Sequence, residues 1–354
     1  MLVIAGIVLN FFAGIIVESK IPKTISTSDI KSHYLDHYER YSNELNHLGG
    51  LNLLEDLPKD LVSQNTILYV KLGEGSKRIL IQGDSWAEAL ATNLKSRILV
   101  EEFTKGFDSE IFLAGIGSYS PSIFSAQLRV LDRDFGIKPD YVVAVVDQTD
   151  IGDELCRYKS LRSIERNGEV SVATFSPAQR YEYFNLQNHL KTMRVLGSDS
   201  FNSHKIFQLA LGNLRAQPQR PTCNWSAIQS YLEKEITDLD KNYFIEIIHD
   251  YVSKVFSQDK TKKLLFVTSP HKRHLTLEYK TDVKDLILEA IKSHPAHNRI
   301  TLLDLKTSIQ DKIKEVSMHS IYKENDVASH LSDEYHSKIL TLTLMSELSN
   351  MLGP

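Results

Sequence analysis

Cysteine is nearly absent from this chain, with only Cys156 and Cys223 among 354 residues. That excludes a small scaffold held together by disulfides. The fold must rest on a buried core, which a chain of this length with 42% hydrophobic residues can supply. A basic excess is missing too. Forty-one Lys and Arg stand against 45 Asp and Glu, a net charge of −4, so nucleic acid is not expected as a partner. Neither an internal repeat nor a low-complexity tract is present. Collagen, a coiled-coil rod, a disordered tail and a polytopic membrane protein are all excluded. At about 150 residues per domain, the length alone suggests roughly two domains.

What the chain does have is an apolar opening. Leu2 to Val17 reads LVIAGIVLNFFAGIIV, with Asn10 its one strongly polar side chain. As a helix this run spans about 24 Å, short of a hydrocarbon core of roughly 30 Å, and Lys20 and Lys23 could snorkel at its end. A signal anchor, a cleaved signal peptide and a buried segment of a soluble body all fit. The anchor is the reading carried forward, with residues 1–20 as a membrane tether and an extracytoplasmic body. Lys20, Lys23 and Lys31 follow the segment, so the positive-inside rule leaves a cytoplasmic-facing body open, and secretion is the other alternative. Cys156 and Cys223 are read as unpaired thiols, though spacing also permits one disulfide.

Residues 21–77 read as a linker and lead-in. From residue 78 the pattern becomes regular. Short apolar runs at Ile79 to Gln82, Ile111 to Ala114, Tyr141 to Val146, Leu264 to Thr268 and Ile300 to Leu305 read as strands. YVVAVV at 141–146 is β-branched without alternation, as in a central parallel strand covered on both faces. Helical spacing lies between the runs: Trp86, Leu90 and Leu94; Ser125 to Leu131; Tyr243 to Phe256; Val283 to Ile291; and a last helix near Glu334 to Met351. Strand–helix alternation predicts an α/β fold, a three-layer αβα sandwich around a central parallel sheet, with a helical insertion near 154–240. One domain over 78–354 thus replaces the two suggested by length.

Ligands in such a sheet bind beyond the carboxyl ends of the strands. Those ends carry Gly83-Asp84-Ser85-Trp86, Gly115-Ile116-Gly117-Ser118, Asp147-Gln148-Thr149-Asp150, His271-Lys272-Arg273-His274 and the segment Asn325-Asp326-Val327-Ala328-Ser329-His330. Ser85 sits where a strand turns into a helix. There the free N–H groups and partial positive charge of the helix start suit a nucleophile whose attack creates an oxyanion. A plain capping role for Asp84 or Ser85 is the simpler reading of those residues alone. Asp147, Asp150, Asp153 and Glu154 read as a solvated acidic loop, and no metal or cofactor is expected. The His271–His274 cluster is placed to touch an anionic or sugar substrate.

The run Ile79-Leu80-Ile81-Gln82-Gly83-Asp84-Ser85-Trp86 resembles the first block of the SGNH (GDSL-type) hydrolase superfamily. Gly117 is similar to the second-block glycine, and Asp326 with His330 to the last block. The resemblance implies a flavodoxin-like fold, Ser85 as nucleophile, His330 as its base and Asp326 as the acid that orients it. It implies an oxyanion hole from Ser85 and Gly117. The third-block asparagine is replaced by Thr149, with Gln148 as the alternative donor. The acid stands four residues before the histidine, where the family commonly has three. Asp84, Trp86, Asp150 and His271 are the expected substrate contacts. The implied activity is an esterase or acyltransferase on an ester or O-acylated glycan; a degenerate glycan-binding or scaffold domain is the alternative. Gly83-Asp84-Ser85-Trp86-Ala87 also approaches the G-x-S-x-G elbow of α/β-hydrolases. That fold needs several strands before its serine, and only Ile67 to Val70 is a candidate here. A dinucleotide site lacks its third glycine after Gly115-Ile116-Gly117.

Overall fold

The computed structural model describes residues 41, 66, 68–159, 162–164, 170–172, 223, 225–233, 235–275, 281–326 and 328–353. Six strands form one sheet: β1 (Val70–Leu72), β2 (Lys77–Gly83), β3 (Ser109–Gly115), β4 (Tyr141–Asp147), and two later strands, β7 (Lys263–Ser269) and β8 (Ile300–Asp304). Between these groups, β5 (Arg162–Ile164) and β6 (Val170–Val172) pair antiparallel in a separate two-stranded sheet. In the large sheet the spatial order is β1-β3-β2-β4-β7-β8. The last five strands in that order are parallel, and β1 closes the edge antiparallel to β3. Ile81 is in register with Leu113 on one side and with Val143 on the other. Every residue of β3 and β4 is buried, as the apolar runs Ile111–Ala114 and Tyr141–Val146 within them require.

The helices are α1 (Ser85–Thr92), α2 (Leu94–Gly106), α3 (Pro121–Phe135), α4 (Trp225–Glu233), α5 (Asp238–Ser257), α6 (Val283–Ser293), α7 (Lys306–Glu315) and α8 (Leu342–Leu352). Helix α1 lies on β3, and α8 packs on α2; α5 packs between α3 and α6. The α/β architecture with helices flanking a mostly parallel sheet is the one anticipated from the strand–helix alternation. Gln82 ties β2 to the α3–α5 side. Its Nε2 donates to the Phe124 carbonyl and to Gln127 Oε1, while its Oε1 accepts from Tyr251.

The sheet order has a consequence for function. Chain order runs β2, then β3 on one side, then β4 on the other. A crevice therefore opens between the carboxyl ends of β2 and β4, the switch point where ligands bind in open α/β sheets. Ser85 follows β2 directly, after the first parallel strand.

Several expectations need correction. Leu94 does not continue the buried stripe of Trp86 and Leu90. The helix stops at Asn93, whose side chain accepts from Ser96 N–H at 3.0 Å and starts α2, leaving Leu94 exposed. The closing helix is interrupted by a π turn at His336–Thr341. The stretch 154–240 is not purely helical, since it contains β5 and β6. The two cysteines are not free thiols: Cys156 and Cys223 form a disulfide, with Cα atoms 5.4 Å apart. Spacing hides this pairing because the contact is tertiary. A Cβ at Gly152 would meet the Ile228 backbone, so α4 rests on the helical turn Asp150–Asp153 and brings Cys223 beside Cys156. Among the described residues no helix is long and apolar enough to cross a membrane. The expected anchor at 1–20 lies outside the described residues, as does nearly all of the 21–77 lead-in before Leu68.

Candidate active site

Two glycines allow Ser85 to stand where it does. A Cβ on Gly83 would lie 2.6 Å from Ala87 Cβ, and one on Gly115 would lie 2.3 Å from the Ala87 carbonyl carbon. Only glycine at both strand ends lets α1 sit this close to the sheet. Asp84 caps the helix, its Oδ1 accepting from Trp86 N–H at 2.9 Å. The capping role considered for Asp84 is therefore real, and its other oxygen, Oδ2, lies 3.3 Å from the Ser85 hydroxyl.

Ser85 Oγ lies 2.5 Å from His330 Nε2, and His330 Nδ1 lies 2.5 Å from Asp326 Oδ2. A carboxylate can only accept, so Nδ1 carries a proton, and Nε2 is the nitrogen that faces the serine hydroxyl. Asp326 is fixed by its own loop, accepting from the N–H groups of Ala328 (3.0 Å) and His330 (2.8 Å). The four-residue spacing is absorbed by a tight turn in which Asn325 and Ser329 take left-handed φ values of 57° and 61°. Burial alone would raise the Asp326 carboxyl. The hydrogen bond and charge of His330, with the two backbone N–H groups, hold it at about 2. Lys272 Nζ donates to the Asp326 carbonyl and ties this loop to the end of β7.

Gly117 lies on the opposite wall. Its N–H donates to Glu88 Oε2 at 2.9 Å. The next residue, Ser118, has a left-handed φ of 60°, and its carbonyl accepts from the Tyr158 hydroxyl at 2.7 Å. Non-glycine residues held in this region gather where a loop is shaped for a site. Here they flank both Gly117 and His330.

The third strand end differs most from expectation. Gln148 donates to the Thr281 carbonyl and accepts from Val283 N–H, so its amide is committed to the start of α6. The Thr149 hydroxyl and N–H both donate to Asp147 Oδ1. The Thr149 hydroxyl is thereby committed away from Ser85, and one Gln148 N–H is spent on Thr281. The acidic loop is not solvated either: Asp147, Asp150, Asp153 and Glu154 are all buried. Glu154 accepts from Ser120 and Ser122 at the start of α3 and from Tyr243. Asp153 pairs with Arg157.

Asp84, Asp147 and Asp150 form one cluster, with an oxygen of each within 4.8 Å of the others. Burial first, then the charges of neighbouring carboxylates, pushes Asp84 and Asp150 well above the usual carboxylate range. Asp147 rises less, because after burial the Thr149 hydrogen bonds and the charges of His330 and His271 act against the rise. Three oxygens so close are a donor set that a hard cation would suit, and backbone or hydroxyl donors also reach each of the three carboxylates.

The four residues expected to touch substrate are therefore not at the surface. Asp84, Trp86, Asp150 and His271 have relative exposures of 2, 1, 0 and 3%. Trp86 packs beside His330, with ring centroids 6.1 Å apart. His271 is buried, its Nδ1 accepting from Arg273 N–H.

Two further residues escape sequence reasoning. Glu88 stands three positions after Ser85 on α1, a spacing that puts both on one helix face and could have flagged it. His336 is the second. Its Nε2 donates to the Trp86 carbonyl (2.9 Å) and its Nδ1 accepts from Ser96 Oγ (2.9 Å), while Thr341 donates to Ser96. This chain of bonds ties the segment after His330 to the helix carrying Ser85. Burial holds the His336 imidazole down at about 4, so it is neutral at physiological pH.

No family model and no curated relative matches the chain. Among solved structures, an α/β hydrolase from the metagenome of Lake Arreo, Spain, aligns with TM-score 0.42 and 11% identity, covering 79% of this chain and 98% of its own. A two-domain esterase active on acetylated mannans gives 0.41 and 11%, covering 78% of this chain and 50% of its own. An acetyl xylan esterase from the rumen bacterium Butyrivibrio proteoclasticus gives 0.37 and 9%, covering 80% and 66%. Scores of this size leave the argument to the site itself.

Proposed function

We propose that this chain is a serine ester hydrolase of SGNH type. The observation that carries the reading is the continuous relay from Ser85 through His330 to Asp326. In it, His330 takes the Ser85 proton, Ser85 Oγ attacks an ester carbonyl, and His330 returns the proton to the leaving alcohol. An acyl-serine forms. Water resolves it in an esterase; a sugar hydroxyl would do so in an acyltransferase. The N–H groups of Ser85 and Gly117 are the oxyanion donors. The substrate class is an O-acylated, in particular O-acetylated, polysaccharide. A position outside the cytoplasm, with residues 1–20 as tether, is supported by the Cys156–Cys223 disulfide, since such bonds persist in oxidising compartments.

A fluorophosphonate probe tests the chemistry. Wild type labels and Ser85→Ala does not; an unlabelled, folded wild type overturns the reading. Mass spectrometry of surface glycans tests the substrate: Ser85→Ala changes their O-acylation, and an unchanged pattern sinks the glycan assignment. One observation favours a second reading, a degenerate SGNH-like domain that binds glycan or scaffolds an acylation system. Thr149 stands where the family has its third-block asparagine and its hydroxyl is spent on Asp147, which leaves the site without that donor. Removing one such donor typically slows a reaction about 100- to 1,000-fold. Glycan binding without labelling would select that reading.

A further inference from the structure

An amide N–H has one hydrogen to give. That of Gly117 is spent on the Glu88 carboxylate at 2.9 Å. The contact lies in the crevice itself: a methyl group at Gly117 would sit 3.2 Å from Glu88 Oε2 and 3.9 Å from Ser85 Cβ. Glycine, carboxylate and serine therefore meet around one small space, the space that a tetrahedral oxyanion on Ser85 must enter. A fixed carboxylate there acts against the reaction twice. It withholds a donor, and its charge repels the developing alkoxide. Thr149 offers nothing in compensation, because its hydroxyl is committed to Asp147. The Glu88 side chain is half-buried with its Oε1 buried, so an ester carbonyl that takes the Gly117 N–H must displace Oε2 from it.

We propose that Glu88 is a built-in occupant of the oxyanion site: it closes the resting site until an ester carbonyl displaces it, and its charge selects neutral acyl groups over anionic ones. The inference rests on the ester hydrolase reading. Acetyl and other short neutral acyl groups compete for the Gly117 N–H against one carboxylate. A succinyl-type group brings a second negative charge into the same space and is excluded more strongly.

The test uses Glu88→Ala and Glu88→Gln in the full chain, assayed at neutral pH with p-nitrophenyl acetate and p-nitrophenyl hemisuccinate beside Ser85→Ala. Glu88→Ala raises kcat/KM on the acetate by about 10-fold, the ratio carried by a hydrogen bond to a charged group. The rise on the hemisuccinate is larger. Glu88→Gln gives a smaller rise on the acetate, because its amide oxygen still accepts from Gly117. Its near-identical shape also covers the case in which the alanine variant fails to fold. In solution the Gly117 amide proton moves upfield in Glu88→Gln, and an unmoved signal overturns the contact. Ser85-dependent turnover in wild type with no gain in either variant overturns the gate and leaves the hydrolase intact. An equal gain on both esters overturns the charge selection. Absence of Ser85-dependent turnover in wild type and in both variants overturns gate and hydrolase together.

Discussion

Two sets of carboxylates occupy the same rim of the sheet, and their protons are held in opposite senses. Asp326 lies in a partly open loop against His330 and two backbone N–H groups, and its carboxyl is held at about 2. Asp84, Asp147 and Asp150 lie sealed beneath the crevice, where burial and one another's charge push them up. Residue type is the same in both places. The difference comes from what each carboxylate faces: a cation-forming ring in one case, other acids in a dry interior in the other. The open carboxylate holds His330, while the sealed set reaches Ser85 through Asp84.

The comparison breaks most visibly if the open set is disarmed. Asp326→Asn keeps the loop but loses the charge that favours imidazolium. Fluorophosphonate labelling of Ser85 should slow by about 1,000-fold with the fold intact by circular dichroism. A loss under tenfold would mean that the loop backbone alone orients His330. The next effect concerns how the sealed set is held. Cys156 lies just after the acidic loop, and its bond to Cys223 closes a separation of 67 residues. Replacing both cysteines by serine should cost about 4 kcal/mol in chemical denaturation. A cost below about 1 kcal/mol would show that packing alone secures this region.

Stability against pH separates the groups further. His336 is held at about 4 against its ordinary 6.5. Between those values the unfolded chain binds the extra proton, so this group's contribution is complete above 6.5 and is lost as pH falls through about 4. The loss is about 3 kcal/mol, read as a falling urea midpoint; His336→Gln should flatten that slope. The sealed acids have the opposite sign. Their raised values contribute stability at low pH that disappears as pH rises. Asp150→Asn should therefore stabilise the protein at pH 8, by about 1 kcal/mol, and by less at pH 4. The asparagine oxygen can still accept from Asp147 N–H, as Asp150 Oδ2 does. Destabilisation instead would mean that the charge in the sealed set is needed.

Much of the site was legible because its parts are local. Gly83-Asp84-Ser85 is a strand end, a cap and a helix start within three residues. Asp326 and His330 share one turn, so their contact is written in neighbouring positions even at an unusual spacing. The acidic loop was misjudged because four acids in eight residues look solvated until their partners are known. Those partners, Ser120, Ser122, Tyr243 and Arg157, come from other elements or from the next helical turn. Trp86 was counted among the expected substrate contacts because a lone tryptophan beside a serine does not reveal which side faces solvent.

By itself the sequence determined the alternation of strands and helices, the burial of Tyr141 to Val146 and the placement of Ser85 at a helix start. Each follows from periodicity or from local backbone preference, which act over a few residues. Tertiary structure alone decided that Cys156 meets Cys223, that three acids share one dry cluster, and that Glu88 takes the Gly117 N–H. Those outcomes depend on which strand lies beside which and how closely α1 and α4 approach, and distance along the chain does not encode it.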